Sequence, residues 1–228
     1  GGVGLDNIDV DYAKSKKIEV INTPAASSQS VAELVMGNLF SLVRMTYDAN
    51  RQMPHKGDTE FKALKKKYSK GLELRGKTLG IIGTGRIGVA TASYALGIGM
   101  KVVGYDSFMD KATIFVPIPD GTIMEVMMPM VSLDELYRTA DFITVHVPAQ
   151  PDNKALIGEK ELTVMKDGVY LVNASRGGII DENDLVEALD VGKVAGATLD
   201  VFLNEPTPKK KLISHPKIIT TPHIGAAT

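Results

Sequence analysis

The sequence contains no cysteine, which rules out disulfides, thiolate metal sites and cysteine nucleophiles. That absence fits a reducing compartment, and the expected location is the cytoplasm. No apolar run approaches the ~18 residues that a membrane-spanning helix requires, so no membrane partner is expected. Neither sign of charge dominates: 26 Lys and Arg against 27 Asp and Glu leave a net charge of −1. Nothing in that balance offers nucleic acid an electrostatic footprint. Internal repeats and low-complexity tracts are lacking too. What remains is 44% hydrophobic and 23% charged, the mixture of a soluble globular protein. Its 228 residues suffice for one large domain or two small ones with a buried core. The chain opens on Gly1 rather than Met, so further chain, and any targeting segment with it, is expected upstream.

The organising stretch is 77–106, KTLGIIGTGRIGVATASYALGIGMKVVGYD. β-Formers lead into Gly83, Gly85 and Gly88, a helix-length run of small and apolar residues follows, and a second strand, 101–105, ends on Asp106. A lone GxGxxG is weak, but here strand, glycine turn, helix, strand and terminal acid arrive in order. Gly83 serves the tight turn, Gly85 lets a pyrophosphate approach the backbone, and Gly88 lets helix and strand close together. The helix starting near Arg86 aims unpaired N–H groups and its dipole at the phosphates. Asp106 stands where a carboxylate accepts from ribose hydroxyls, and it repels a 2′-phosphate; the cofactor is expected to be NAD rather than NADP.

Along the rest of the chain, residues 18–21 read as a short strand, and residues 1–28 are too few to bury a core of their own. They read as the remnant of another domain, with 29–228 as the dinucleotide-binding domain. A capping box at 30–33 opens a helix to about Asn50, apolar on more than one face through Met36, Phe40 and Met45. Residues 53–75 read as a loop with a short helix. Strands are expected at 126–131, near a sheet edge because of Pro129, and at 142–147, 169–173, 197–202 and 218–221. Helices are expected at 132–140, again from a capping box, and at 159–165 and 181–191. This alternation predicts a Rossmann-type α/β fold, a doubly wound parallel sheet with right-handed crossovers.

Ligands of such sheets bind beyond the carboxyl ends of the strands. The residues following those strands are the 83–88 turn, Asp106, Val147 and Pro148, Ala174, Ser175 and Arg176, the stretch from Asp200 through Glu205, and His223. Removing hydrogen from an alcohol yields a hydride and a proton, and the proton needs a base that titrates near neutrality, as histidine does. A carboxylate beside such a histidine fixes the ring, and arginine offers a planar fork to a substrate carboxylate. Taken singly, each residue also has an ordinary reading: His223 as a surface or capping residue, Arg176 as a salt-bridging one, Glu205 as a loop acid. His55, His146 and His215 read as ordinary histidines, His146 as core or cofactor wall.

The stretches NASRGGIIDE (173–182), LDVFLNEP (199–206) and TPHIGAAT (221–228) closely resemble the signatures of the D-2-hydroxyacid dehydrogenases. GVGLDNID (2–9) and NTP (22–24) fit the same family, so the resemblance covers nearly the whole chain. Within it the sequence is most similar to the short phosphoglycerate dehydrogenases of serine biosynthesis. The resemblance implies that His223 is the acid–base group with Glu205 as partner, and that Arg176 holds the substrate carboxylate and polarises the keto oxygen. It places Arg86 and Ile87 at the pyrophosphate and Val147 and Pro148 along the adenosine. Ala174, Ser175 and Arg176 fall near the nicotinamide ribose, and Asp200, His223, Gly225 and Ala226 on the nicotinamide side. Val3 and Gly4 would offer N–H groups to the substrate carboxylate, with Arg176 and His223 completing that site. The set needs no metal. After Pro148 the sequence departs from the family pattern, running AQPDN rather than a threonine-containing stretch.

The implied substrate is D-3-phosphoglycerate, with Lys65, Lys66 and Lys67 either reaching its phosphate or forming a solvated face. Glyoxylate, hydroxypyruvate or a lactate-like acid is the alternative substrate, and an NADH-sensing module like the corepressors that resemble this family is the alternative class. The remnant before residue 29 implies a second, flavodoxin-like substrate domain, and the 30–50 helix implies a homodimer. Residues 1–228 alone are expected to bind NAD but turn over poorly.

Overall fold

The computed structural model describes residues 4–5, 8–23, 25–149 and 154–228. Its centre is a six-stranded, all-parallel sheet of β1 (Thr78–Ile82), β2 (Lys101–Tyr105), β5 (Phe142–Val145), β6 (Val169–Asn173), β7 (Val194–Leu199) and β8 (Ile218–Thr220). The order is β2-β1-β5-β6-β7-β8. The chain leaves β1 through helix α5 (Arg86–Gly97) to β2, then returns to pair β5 on the other side of β1. That reversal opens a crevice at the carboxyl ends of β1 and β5. The fold is therefore the Rossmann-type doubly wound sheet that the alternation predicts.

Strand side chains alternate between two cores, because successive Cβ atoms point to opposite faces. On one face Ile82, Ile143, Val145 and Leu171 pack with Leu136 of α6 (Leu133–Thr139), Leu162 of α7 (Glu159–Val164) and Leu185 and Leu189 of α8 (Glu182–Asp190). On the other, Leu79, Ile81, Phe142 and Val172 meet Ala92 and Ala95 of α5 and Val35 and Leu39 of α2 (Ser28–Arg44). Phe142 and Tyr170 stack across neighbouring strands at 4.9 Å between ring centres. Each fully buried aliphatic of this kind contributes about 1.5–3 kcal/mol, so strands buried on both faces hold the sheet in the interior. No helix of the described residues is long and apolar enough to cross a membrane.

Several expectations fail, each for a physical reason. Residues 18–21 form no strand; Ile18 and Ile21 are exposed, and a β-former without a partner has no ladder to join. A short helix, α1 (Val10–Ser15), precedes them and buries nothing. The 30–33 capping box does not form: α2 starts at Ser28 behind Ser27, and Ser30 Oγ instead bonds the Thr228 hydroxyl. The helix to Asn50 is two helices, because Met45 takes a left-handed conformation (φ 53°) and α3 (Thr46–Lys56) starts afresh. The Val43 carbonyl there accepts the Leu72 N–H instead of continuing the helical ladder. Lys65, Lys66 and Lys67 close α4 (Phe61–Lys67), where cations suit the helix C-terminus, and Lys67 pairs with Asp48 at 2.7 Å.

The expected strand at 126–131 lies earlier, as β4 (Ile123–Met127) paired antiparallel with β3 (Thr113–Pro117) in a separate two-stranded sheet. Pro119 and Gly121 lie in its turn. Pro129 and Val131 still run along edge strand β2, exchanging hydrogen bonds with Gly104. The strand expected at 142–147 stops at Val145, and that at 197–202 is Val194–Leu199. Val201 and Phe202 are buried by packing rather than by pairing, which imitates a strand in sequence. A further short helix, α9 (Lys210–Ile213), precedes β8.

Candidate active site

The glycine turn follows β1. Gly83 has φ 92° and donates its N–H to the Tyr105 carbonyl, 2.8 Å away, tying the turn to β2. Only glycine fits at 88, where a Cβ would stand 2.1 Å from the Gly83 oxygen. At Gly85 a Cβ would meet nothing, so open space lies before the backbone at the start of α5, whose N-terminus no side chain caps. Asp106 serves this loop directly. Its Oδ2 accepts from the Thr84 N–H at 2.8 Å and lies 3.4 Å from the Thr84 hydroxyl, and its Oδ1 accepts from the Phe108 N–H at 2.9 Å. A cleft of about 620 Å³ opens beside it, with Tyr105, Phe108 and Met130 in its lining. An uncapped helix end, a side-chain-free approach at Gly85 and a carboxylate at the next strand end together fit a dinucleotide. Arg86 is exposed and Ile87 half-buried at that helix start.

Beyond β5 the backbone of His146 and the Val147 side chain lie against Gly83, with Pro148 exposed next to them. The His146 ring bonds the Thr144 hydroxyl through Nε2 (3.0 Å), while Nδ1 is buried without a partner among the described residues. Burial lowers its pKa from 6.5 to about 4, so it stands neutral as a wall rather than a proton carrier. Unfolding frees this ring to protonate near its ordinary value. Stability is therefore whole above pH 6.5 and declines as the pH falls towards the folded value of about 4. The expected loss from this group is about 3 kcal/mol. Denaturant titrations across that window are expected to show a shallower acid slope for His146→Phe; equal slopes would remove His146 as the cause.

At the end of β6, Asn173 is buried, and its Oδ1 accepts from the Ser175 N–H and hydroxyl (3.0 and 2.9 Å) while Nδ2 donates to the Arg176 carbonyl (2.8 Å). This Asx-type turn shapes Ala174, Ser175 and Arg176. At Gly177 a Cβ would fall 2.0 Å from the Phe202 oxygen, so the Arg176 turn lies directly on the segment after β7. There Glu205 accepts from the Phe202 N–H through Oε1 (2.9 Å), and its Oε2 meets His223 Nδ1 at 2.8 Å. Burial pushes the Glu205 carboxyl up. The His223 and Phe202 hydrogen bonds, with the charges of His223 and Arg176, outweigh that and hold it below the usual range.

Asp200 is buried beneath the His223 loop. Its Oδ1 accepts from the Thr221 hydroxyl (2.6 Å) and the Ile224 N–H (2.9 Å), and its Oδ2 from the Gly225 N–H (2.8 Å). It thereby brackets His223, which sits at φ 54°. Gly225 is buried against Asp200 and Ala226 is exposed. Arg176, Glu205 and His223 thus meet at one end of the sheet, the end that also carries the glycine turn and Asp106. Val3 lies outside the described residues, as does most of the divergent AQPDN stretch; Gly4 is exposed. Thr84, Asn173, Glu182 and Thr221 were not assigned roles from sequence. Asn173 carried a signal, an asparagine at a strand end ahead of a turn; Glu182 closes the 173–182 motif and falls in the helix expected at 181–191, which gave it no role of its own.

Residues 36–225 match the family model described as D-isomer specific 2-hydroxyacid dehydrogenase, NAD binding domain. Over its whole length the chain is 44% identical to a hydroxypyruvate reductase of Thermotoga maritima, covering 69% of that protein. It is 42% identical to a D-3-phosphoglycerate dehydrogenase of Methanocaldococcus jannaschii, of which it spans 41%. An NAD-dependent formate dehydrogenase from Staphylococcus aureus, solved in complex with NAD, superposes on all of the chain with a TM-score of 0.80 and 29% identity, over 64% of its own length. The glycine turn, the acid after β2 and the matched family model agree: this chain belongs to the NAD-dependent D-2-hydroxyacid dehydrogenases, oxidoreductases whose NAD-binding domain it carries.

Proposed function

We propose that the protein to which this chain belongs oxidises D-3-phosphoglycerate to 3-phosphohydroxypyruvate with NAD, the entry step of serine biosynthesis. The observation that carries the chemistry is the 2.8 Å contact between His223 Nδ1 and Glu205, with Arg176 beside the carboxylate. When bound, NAD supplies the acceptor for the hydride lost from the carbinol carbon. The chain's own residues deal with the proton and the carboxylate. Engagement of Nδ1 by Glu205 leaves Nε2 as the base that takes the hydroxyl proton, and the carboxylate stabilises the resulting imidazolium. Arg176 binds the substrate carboxylate through its guanidinium and draws charge onto the forming keto oxygen. Gly83, Gly85, Arg86, Ile87 and Gly88 would hold the pyrophosphate, Asp106 the ribose, and Val147 and Pro148 the adenosine side. Ala174, Ser175, Asp200, Gly225 and Ala226 would line the nicotinamide end.

The phosphorylated substrate is favoured by the phosphoglycerate dehydrogenases among the relatives, of which this chain spans less than half. Residues 1–28 belong, in this reading, to the substrate domain, where Val3 and Gly4 would meet the carboxylate; 29–228 form the cofactor domain. The enzyme would act in the cytoplasm as a homodimer built through α2 and α3. Hydroxypyruvate is the second reading, favoured by the 44% identity to a protein of that name. The full-length protein should form NADH with 3-phosphoglycerate well above its rate with glycerate or lactate. Equal or faster turnover of the unphosphorylated acids would give the role to hydroxypyruvate, and NADH binding without turnover of any acid would favour a sensor.

A further inference from the structure

Glu182 is the first residue of α8, yet its side chain is only 7% exposed, which is unusual for a carboxylate. Capping does not explain its burial, because Asp181 already caps that helix by accepting from the Asn183 and Asp184 N–H groups. Instead Glu182 Oε1 reaches across to accept the Leu203 N–H at 2.8 Å. Its other oxygen faces Lys209 at 3.5 Å, an ion-pair distance, with no hydrogen bond among the described residues. The adjacent amide, Phe202, donates to Glu205. Two consecutive N–H groups are therefore shared between two carboxylates, one of which touches His223 while the other belongs to α8.

The same dipeptide is pressed from the Arg176 turn, where Gly177 leaves no room for a Cβ against Phe202. Glu205 follows within the same turn, so the direction of its carboxylate depends on the Phe202–Leu203 peptide staying in place. A buried carboxylate hydrogen-bonded to a backbone amide is a strong anchor, and its loss leaves that amide without a partner. We propose that Glu182 is a positioning residue for the His223–Glu205 pair, acting through the Leu203 N–H. It touches the reacting groups only through that loop. The inference rests on the dehydrogenase reading given above.

Of the charged groups near His223, Glu205 touches the ring, the Arg176 charge acts on Glu205, and Asp200 lies beneath the loop. If Glu182 holds Glu205 in line, losing it loosens the contact between Glu205 and the His223 ring. The test uses the full-length protein with Glu182→Ala and Glu182→Leu, which remove the acceptor, and Glu182→Gln, which keeps it. Leu preserves volume, so at least one acceptor-free variant is expected to fold. The Nδ1–H resonance of His223, held downfield by the 2.8 Å contact with Glu205, should move upfield in Ala and Leu, with Gln near wild type. Turnover should fall about ten- to a hundredfold in the acceptor-free variants, with NADH affinity kept. An unmoved His223 Nδ1–H resonance in a folded acceptor-free variant overturns the proposal, since a merely structural role lowers stability without touching the ring. Absence of wild-type turnover would sink the dehydrogenase reading instead, and the ring resonance is read independently of it.

Discussion

Replacing His223 by alanine is expected to lower oxidation of 2-hydroxy acids about a hundred- to ten-thousandfold, while NADH affinity stays within about twofold of wild type. The expectation follows from where the ring stands. Its Nδ1 is held at 2.8 Å by Glu205, and its side chain is 48% exposed on the rim rather than packed in a core. Removing it therefore takes away a proton acceptor and little else. The surrounding loop is fixed from below by Asp200, through Thr221, Ile224 and Gly225, and those bonds do not involve the imidazole. Steady-state rates and NADH fluorescence titrations on the full-length protein separate the two effects. A variant that turns over at near wild-type rate would exclude histidine from the proton transfer.

Gly88→Ala is expected to weaken NAD binding about tenfold or more and to lower stability, by about 1–3 kcal/mol for the overpacking. The new methyl would stand 2.1 Å from the Gly83 oxygen and 3.1 Å from Ile81 Cγ2. A flexible side chain could swing away from such a contact, but a carbonyl oxygen cannot move without unwinding the turn. That turn is anchored to β2 through the Gly83 N–H and the Tyr105 carbonyl, so the strain passes into the phosphate-facing loop. Gly97→Ala in the same helix is the control, since a Cβ there meets nothing within 4 Å. NADH titration and thermal melts of the pair measure the difference. Equal affinity for the two variants would show that close approach at 88 does not shape the site.

The βαβ unit was legible because local and long-range demands coincide there. Gly83 needs a positive φ, Gly88 needs close packing, and both leave the same residue in the sequence. The parallel sheet was legible for a similar reason, since β1, β5 and β6 are buried on both faces, though their order was not read. The β3–β4 hairpin was not. Ile114 reaches the core, but Phe115, Ile123 and Met127 are exposed, so the apolar pattern alone does not mark the strand and the pairing partner fixes it. Met45 gives no local sign of its left-handed turn; the helical spacing of α2 runs straight through it into α3. In the site, the residues proposed to carry chemistry stand at strand ends within motifs. Glu182 and Thr84 lie within motifs too, but their hydrogen-bond partners are distant in sequence, so the motifs do not show what they hold.

Asp106 has a bearing on how this lineage could change its diet of cofactor. Its two oxygens already fasten Thr84 on one side and Phe108 on the other. The group that would turn away a phosphorylated ribose is thus also a strut of the cradle. Exchanging it for a small or basic residue would remove the discrimination and slacken the cradle in the same stroke. A change to NADP is therefore expected to need a new partner for the Thr84 N–H as well as a new residue at 106.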